Sequence, residues 1–315
     1  MPQENKKLGV IDLGTNTFNL LIVESHSQNL FNKIASHRIP VMLGEGTISS
    51  NLISDKAFER GIGAMKDFSR ILLENKVTNV RALATSALRT SKNSGEFVSR
   101  VLKDFGIKIE VISGDKEAEL IFIGNNAAAK LNENYSLIMD IGGGSTEFII
   151  ANHKGIKWKK SYLLGAARLL AKFKPEDPIT IDTIQLMESY FEHELGEFFK
   201  ESSKINLYEL IGSSGAFDSF VEMIDVEFSS MSFSEGNPVY KYNIEQYYHL
   251  AERILKSTLP ERLQMKGLIP MRAEMIVISV LITNYILKRT GVTHLRSTTW
   301  SLKEGAVIQW LSETQ

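Results

Sequence analysis

Apolar residues along this chain form short runs separated by tight polar turns, and two of these patterns are alike. Residues 8–13 (LGVIDL) and 18–24 (FNLLIVE) flank one turn, and residues 137–141 (LIMDI) and 147–152 (EFIIAN) flank another. An apolar run, a tight turn and a second apolar run are typical of a β-hairpin. The pattern therefore predicts one hairpin near the start of each half of the chain.

The first half continues as alternating strands and helices. Residues 54–75 carry apolar side chains at helical spacing, with Ser54 in position to cap the helix N-terminus. This order predicts an α/β domain with helices covering a sheet. The remaining predicted elements are strands at 38–43, 79–85 and 107–113, and helices at 94–105 and 116–130.

The second half repeats this plan, so we expect two domains, at 1–125 and 126–301. A C-terminal helix at about 302–315 can pack back on the first domain. The predicted elements after the second hairpin are strands at 154–164 and 207–212, helices near 166–173, 179–201, 243–257 and 275–287, and an exposed loop at 228–242.

Composition excludes several kinds of chemistry. The chain has no cysteine, which rules out disulfides, thiolate nucleophiles and cysteine-ligated metals. Its net charge of −1 provides no general attraction for polyanions, and we expect no nucleic-acid partner. The apolar segment 275–287 is shorter than the roughly 20 residues that span a bilayer. With no signal-peptide pattern at the N-terminus, we expect a cytoplasmic protein without a membrane partner.

Both turns combine a carboxylate with glycine and hydroxyl residues. Glycine lets the backbone approach a ligand closely, and successive N–H groups form a nest for anions. Asp12 and Asp140, each at a strand end, can cap their own turns or hold a hydrated Mg²⁺ that neutralises phosphate. The candidate phosphate-binding residues of the turns are Thr15, Asn16, Thr17, Gly143, Gly144, Ser145 and Thr146.

Eight motifs in order resemble the exopolyphosphatase / guanosine pentaphosphate phosphatase family, of the actin–sugar kinase–chaperone ATPase superfamily. The resemblance implies an α/β fold of two ribonuclease-H-like (actin-like ATPase) domains with a cleft between them. The matching segments are Asp12–Thr17, Ala84–Arg89, Ile112–Ala118, Asp140–Glu147, Leu164–Arg168, Gly212–Gly215, Pro270–Glu274 and Leu302–Gly305.

The resemblance also implies roles for three further residues. Glu117, before Ala118, matches the family's catalytic base, which would activate a water for attack on phosphorus. Arg89 would bind phosphate, and Glu147 would help to place the water or the metal. From pattern alone, Glu117 and Arg89 also suit an ordinary helix surface, and Glu147 also suits a solvent-facing strand position.

The implied function is hydrolysis of terminal phosphoanhydride bonds in inorganic polyphosphate or guanosine pentaphosphate, with Mg²⁺ as cofactor and a homodimer as the assembly. One departure concerns Asn19, where many family members carry an arginine; a neutral amide cannot offset phosphate charge. Two other functions stay open at this point. One is a kinase or ATPase of the same superfamily, and the other is a non-catalytic sensor of polyphosphate or guanosine tetraphosphate.

Overall fold

The structure is a computed structural model that describes residues 6–26, 30–46, 51–213, 215–229 and 237–313. The chain divides into two compact units. Unit 1 comprises Met1–Gly124 together with Leu302–Gln315, and unit 2 comprises Asn125–Ser301. The predicted boundary between residues 125 and 126 lies one residue from this division.

Unit 1 contains a five-stranded mixed sheet in the order β3-β2-β1-β4-β5. The first three strands form an antiparallel meander, and β4 and β5 continue the sheet parallel to β1. The strands are β1 (Lys7–Leu13), β2 (Thr17–His26), β3 (Leu30–Pro40), β4 (Asn79–Ala84) and β5 (Ile109–Val111).

Helices cover both faces of this sheet. The helices of unit 1 are α1 (Asp55–Glu74), α2 (Ser86–Thr90), α3 (Ser94–Phe105), α4 (Gly114–Ala129), whose last residues belong to unit 2, and α12 (Leu302–Glu313).

Helix α1 begins at the predicted cap Ser54, whose hydroxyl accepts from the Ala57 amide, and its apolar stripe contributes to the unit 1 core. On the other face, α12 packs against β1, and Arg81 of β4 donates to the Ala306 carbonyl of α12.

Unit 2 repeats the sheet plan with one additional strand, in the order β10-β11-β9-β6-β7-β8. Strands β6, β7 and β8 form the meander, and β9 and β11 run parallel to β6. The strands are β6 (Tyr135–Ile141), β7 (Thr146–Asn152), β8 (Gly155–Tyr162), β9 (Leu207–Ser213), β10 (Val239–Lys241) and β11 (His294–Thr298).

The core of unit 2 is rich in aromatic residues, and the apolar helix predicted at 275–287 lies inside it. The helices are α5 (Ala166–Phe173), α6 (Ile181–Glu194), α7 (Gly196–Ser202), α8 (Ala216–Phe228), α9 (Ile244–Lys256), α10 (Leu259–Leu263) and α11 (Ile276–Thr290), with a 3₁₀ turn at Pro270–Arg272.

Two predicted elements need correction. The strand expected at 38–43 ends at Pro40, because residues 41–44 turn to bond the first hairpin turn and Met42 adopts a positive φ of 50°. The single helix expected at 179–201 is interrupted at Leu195, where Gly196 follows and α7 begins. Helices α2, α8 and α10 and strands β10 and β11 were not predicted.

Two features complete the comparison with the sequence. Within the described ranges, no helix is both long and apolar enough to span a bilayer. Residues 230–236 of the predicted exposed loop, Ser214 and the last two residues of the C-terminal helix lie outside the described residues.

Candidate active site: two glycine–hydroxyl turns

The first turn, Gly14–Thr17, joins β1 to β2 and is closed by the main chain. The Gly14 amide donates to the Thr17 carbonyl at 3.1 Å. A Cβ at Gly14 would lie 2.9 Å from that same carbonyl oxygen, so only glycine fits without displacement. Glycine at this position therefore permits the tight closure of the turn.

The segment after β3 packs behind this turn and sets the direction of its peptide groups. Val41 and Met42 amides both donate to the Asn16 carbonyl at 2.9 Å, and the Gly44 amide donates to the Thr15 carbonyl at 2.9 Å. In a planar trans peptide the C=O and the following N–H point in opposite directions. The N–H groups of Asn16 and Thr17 therefore point away from residues 41–44, as an anion site requires.

Arg89 and Glu117 lie together at the same edge of the unit 1 sheet. Arg89 Nη1 donates to Glu117 Oε2 at 2.8 Å and to the Ile112 carbonyl at 3.1 Å. Their side chains are 20% and 9% exposed, respectively. The segment before Arg89 is joined to the first turn, because the Thr85 amide donates to the Leu13 carbonyl.

The parallel strands β1, β4 and β5 all end at this edge. Each strand is followed by residues that the sequence predicts to belong to the active site. The carboxyl ends of parallel strands are the usual ligand-binding edge of open α/β sheets. Glu117 is buried near the start of α4, so it is not the ordinary helix-surface glutamate that its pattern also allowed. Its contact with Arg89 uses one guanidinium nitrogen of a group with five N–H donors.

The second turn, Gly142–Ser145, has the same geometry in unit 2. The Gly142 amide donates to the Ser145 carbonyl at 3.0 Å, and a Cβ at Gly142 would lie 3.0 Å from that oxygen. Corresponding positions of the two turns differ by 128 residues. The structural equivalence thus matches the repeat found in the sequence.

The first turn of α5 holds this second turn from behind. Carbonyls of Gly142 and Gly143 accept from the amides of Ala166 and Arg168, and the Gly144 carbonyl accepts from Arg168 Nε at 2.9 Å. By the same peptide geometry, the N–H groups of Gly143, Gly144 and Ser145 point away from α5. Three successive amides therefore face the side of the turn on which the glycine run predicts an anion nest.

Two carboxylates lie side by side next to the second turn. Asp140 of β6 and Glu147 of β7 are paired across the strands. Ser301 Oγ donates to Asp140 Oδ2 at 2.5 Å, and Ser161 Oγ donates to Glu147 Oε1 at 2.6 Å. Glu147 is 1% exposed, so it is not the solvent-facing strand residue that its pattern also allowed.

The predicted phosphate-binding residues differ in whether their side chains are exposed for contact with a ligand. Thr146 is fully buried and its hydroxyl donates to the Leu164 carbonyl at 2.9 Å, which ties β7 to the segment before α5. Thr15 and Ser145 are also buried within their turns. Asp12 accepts from Asn19 Nδ2 at 3.1 Å, while its turn is closed by backbone atoms. Phosphate binding by these residues stays a prediction.

Sequence reasoning missed the serine partners of the acidic pair. Ser161 and Ser301 lie 14 and 161 residues away from the carboxylates that they bond. Ser161 could have been found by continuing the hairpin register onto the third strand, since Glu147 pairs with it directly. Ser301 has no such local signal.

Comparison with known proteins decides the family. The model of the Ppx/GppA phosphatase family matches residues 21–314. The chain belongs to the Ppx/GppA phosphatase family. A crystal structure of an exopolyphosphatase from Cytophaga hutchinsonii matches with a TM-score of 0.94 and 36% identity, covering 98% of both chains.

More distant members of the Ppx/GppA family extend the comparison. Exopolyphosphatase 1 of Mycobacterium tuberculosis is 26% identical over 306 residues, which cover 97% of this chain and 88% of that protein. The structure of the Aquifex aeolicus family member has a TM-score of 0.79 at 22% identity and supports the fold alone. The predicted family, the α/β class with two mixed sheets, and the assignment as a hydrolase are confirmed.

Proposed function

We propose that this protein is an exopolyphosphatase that removes the terminal phosphate of inorganic polyphosphate, with Mg²⁺ as cofactor and Glu117 as the base. Guanosine pentaphosphate, which ends in the same kind of phosphoanhydride, is a further substrate to test. Similarity to the Mycobacterium tuberculosis and Cytophaga hutchinsonii exopolyphosphatases supports the substrate class.

The observation that carries the proposal is the ion pair between half-buried Arg89 and buried Glu117 beside the first turn. A guanidinium stabilises the negative charge of the carboxylate and also offsets the charge of phosphate. The pair therefore combines a proton acceptor with an anion-binding group within 2.8 Å of each other. Turn amides of Asn16 and Thr17 add neutral donors at the same sheet edge.

Hydrolysis by this arrangement requires one proton transfer and one displacement at phosphorus. Glu117 accepts a proton from water as the water oxygen forms a bond to the terminal phosphorus. The bond from that phosphorus to the bridging oxygen breaks, and its electron pair leaves with the shortened chain. Arg89 and the turn amides stabilise the negative charge on the phosphoryl oxygens. Such electrostatic stabilisation is a main source of catalysis in phosphoryl transfer.

The residues of unit 2 fit a Mg²⁺ ion. Mg²⁺ prefers oxygen ligands and commonly binds one or two carboxylates together with water and substrate phosphate. Asp140 and Glu147 offer two adjacent carboxylates, and their serine donors orient them. Within the described residues no group of three metal-binding side chains exists, so water and phosphate would complete the coordination. When bound, Mg²⁺ would neutralise phosphate charge. Asp12, beside the first turn, stays a predicted Mg²⁺ ligand in its own right.

The test is phosphate release by Glu117→Gln. Glutamine keeps an acceptor for Arg89 but cannot take the proton, so kcat is expected to fall by about 100-fold or more, with KM changed little. Release is measured from long-chain polyphosphate, with Mg²⁺ and with chelator. Glu119→Gln is the matched control, because Glu119 lies two residues along α4 and pairs with Lys116 on the outer side.

Other substrates distinguish the remaining functions. Guanosine pentaphosphate and ATP are assayed beside polyphosphate, with and without a phosphate acceptor. Turnover of ATP only with an acceptor would favour the kinase, and tight polyphosphate binding without release would favour the sensor. Full activity of Glu117→Gln on polyphosphate would overturn the assignment of the base.

A further inference from the structure

A second row of polar side chains crosses the unit 1 sheet next to the first turn. Asp12 on β1 pairs with Asn19 on β2, and Asn19 pairs with Arg38 on β3. Asn19 Nδ2 donates to Asp12 Oδ2 at 3.1 Å, and Arg38 Nε donates to Asn19 Oδ1 at 3.3 Å. Directly paired residues project from the same face, so the three side chains form one continuous row.

The chemistry of this row depends on the amide in its centre. A carboxylate only accepts hydrogen bonds and a guanidinium only donates them, whereas an amide does both. Asn19 is therefore able to join Asp12 to Arg38 and to fix the direction of the Arg38 side chain. The positive charge that position 19 lacks is present on the next strand.

The equivalent row in unit 2 is acidic, whereas the charges of Asp12 and Arg38 balance in the unit 1 row. Asp140, Glu147 and Ser161 occupy the corresponding positions on β6, β7 and β8. Two carboxylates and a hydroxyl suit a cation, whereas the unit 1 row ends in an exposed guanidinium. An exposed hydrogen bond of this kind adds little to folding stability, so the sheet itself does not require arginine at position 38.

Arg38 lies on β3, two strands away from β1, which leads into the first turn. Neighbouring strands lie about 4.8 Å apart, which puts the β3 backbone roughly 10 Å from β1 at this row. Asn19 lies between Arg38 and Asp12, so a phosphate bound at the first turn is nearer to Asp12 than to the Arg38 guanidinium. A chain of several phosphates that crosses the row can reach it.

We infer that Arg38 is a substrate-binding residue for the inner phosphates of a condensed phosphate chain, held in place by Asn19. This inference rests on the proposed function and adds a chain-length preference to it. Arg38 Nε is occupied by Asn19, and the two Nη groups supply the donors to phosphate oxygens. Substrates too short to cross from the turn to β3 would not use this contact.

The test compares Arg38→Gln with the wild-type protein on long-chain polyphosphate and on tripolyphosphate. Loss of a charge-assisted hydrogen bond is expected to raise KM for the long chain roughly tenfold, with kcat within about twofold. For tripolyphosphate, KM is expected to stay within about twofold. Arg38→Lys, which keeps the charge, should recover part of the long-chain affinity.

Lys33→Gln is the matched control, because Lys33 is an exposed cation on the same strand at a pairing position farther from the turn. It removes the same charge and is expected to leave both KM values unchanged. Thermal unfolding of all variants checks that folding is intact.

Three outcomes overturn the inference in distinguishable ways. If the wild type hydrolyses polyphosphate and Arg38→Gln behaves as Lys33→Gln does, Arg38 has no substrate contact and the proposed function stands. If KM rises equally for both chain lengths, the residue acts at the terminal site instead. A wild type that neither binds nor cleaves condensed phosphates overturns the proposed function together with this inference.

Discussion

Gly165 shows how closely the backbone supports the second turn. Its Cα lies so near the turn that an added Cβ would stand 2.4 Å from the Gly143 carbonyl carbon and from the Gly144 nitrogen. The backbone angles of Gly165, φ −68° and ψ 151°, suit any residue. Glycine is therefore required at this position because a side chain has no room there, and not because of the backbone angles.

Gly165→Ala is expected to displace the Gly143–Gly144 peptide and to disorganise the three amides that face away from α5. The overpacking should cost about 1–3 kcal/mol of unfolding free energy. Phosphate release should fall by more than this loss of stability explains, since the protein stays folded. Urea unfolding and the polyphosphate assay measure the two effects separately.

Gly63→Ala serves as the control for this substitution. Gly63 is exposed in the middle of α1, and an added Cβ meets nothing within 4 Å. Alanine should stabilise the helix by up to about 1 kcal/mol and leave activity unchanged. Equal behaviour of the two variants would contradict a special role for Gly165.

Individual residues were predictable where their partners are close in sequence. Ser54 was identified as a cap because the cap and the amide that donates to it lie within one helical turn. Arg38 was not identified, because its place beside Asn19 depends on the register of β2 and β3. That register shifts by one residue at Ile22/Val23, which reverses the faces of the strand residues beyond it.

At the scale of elements, an ion pair with a buried carboxylate joins three strands of unit 2. Arg296 of β11 forms a bidentate contact with Glu209 of β9, at 2.7 and 2.6 Å. Ser136 of β6 donates to the same carboxylate at 2.8 Å, and Glu209 is 4% exposed. The pair therefore links β6, β9 and β11 through a single carboxylate.

Arg296→Met is expected to lower the unfolding free energy by about 3–5 kcal/mol, because it leaves Glu209 charged and buried without its guanidinium. Denaturant unfolding of the full chain measures this loss. The double variant Glu209→Leu/Arg296→Met should lose less, since two apolar side chains avoid the uncompensated charge. A single variant as stable as the wild type would show that the contact is dispensable.

Helices and strands with a clear apolar pattern in the sequence were predicted, and those without one were missed. Helix α11 was expected because residues 275–287 form a long apolar segment, and eleven of the fifteen residues of the helix are buried. Strand β11 was missed because its sequence, HLRST, contains one large apolar residue. Its position is determined by parallel pairing with β9, including the Arg296–Glu209 contact, and no local pattern encodes that pairing.

At the scale of the whole molecule, unit 1 is assembled from two distant parts of the chain. Helix α12 buries Leu302, Ala306, Val307 and Leu311 and packs against β1. Gly305 lies against the α4 backbone, where a Cβ would approach the Leu120 carbonyl oxygen to 1.9 Å. The apolar face of β1 and β2 opposite α1 is thus covered by residues about 290 positions later in the sequence.

A chain ended at Ser301 is expected to retain unit 2 and to lose the ordered structure of unit 1. Removing α12 exposes the apolar surface of β1 and β2 that this helix covers. Hydrogen exchange followed by mass spectrometry should show rapid exchange in 7–40 and slow exchange in β6, β7 and β9. Protection of β1 and β2 at the level of the full chain would contradict this dependence.

The predicted cytoplasmic location and homodimer remain predictions at this scale. Neither depends on a contact within one chain, and both can be measured by fractionation and by sedimentation of the purified protein.

The division of unit 1 between two chain segments has a consequence for biosynthesis. Unit 2 is formed by one continuous segment, so it can fold on the ribosome as soon as residue 301 has emerged. The sheet of unit 1 lacks the helix that covers one of its faces until α12 has been synthesised. Glu117 and Arg89 therefore gain their complete scaffold only after α12 has been translated. A chain that stops before α12 would carry both turns without the covering helix of unit 1, so its loss of activity would report the absence of that helix.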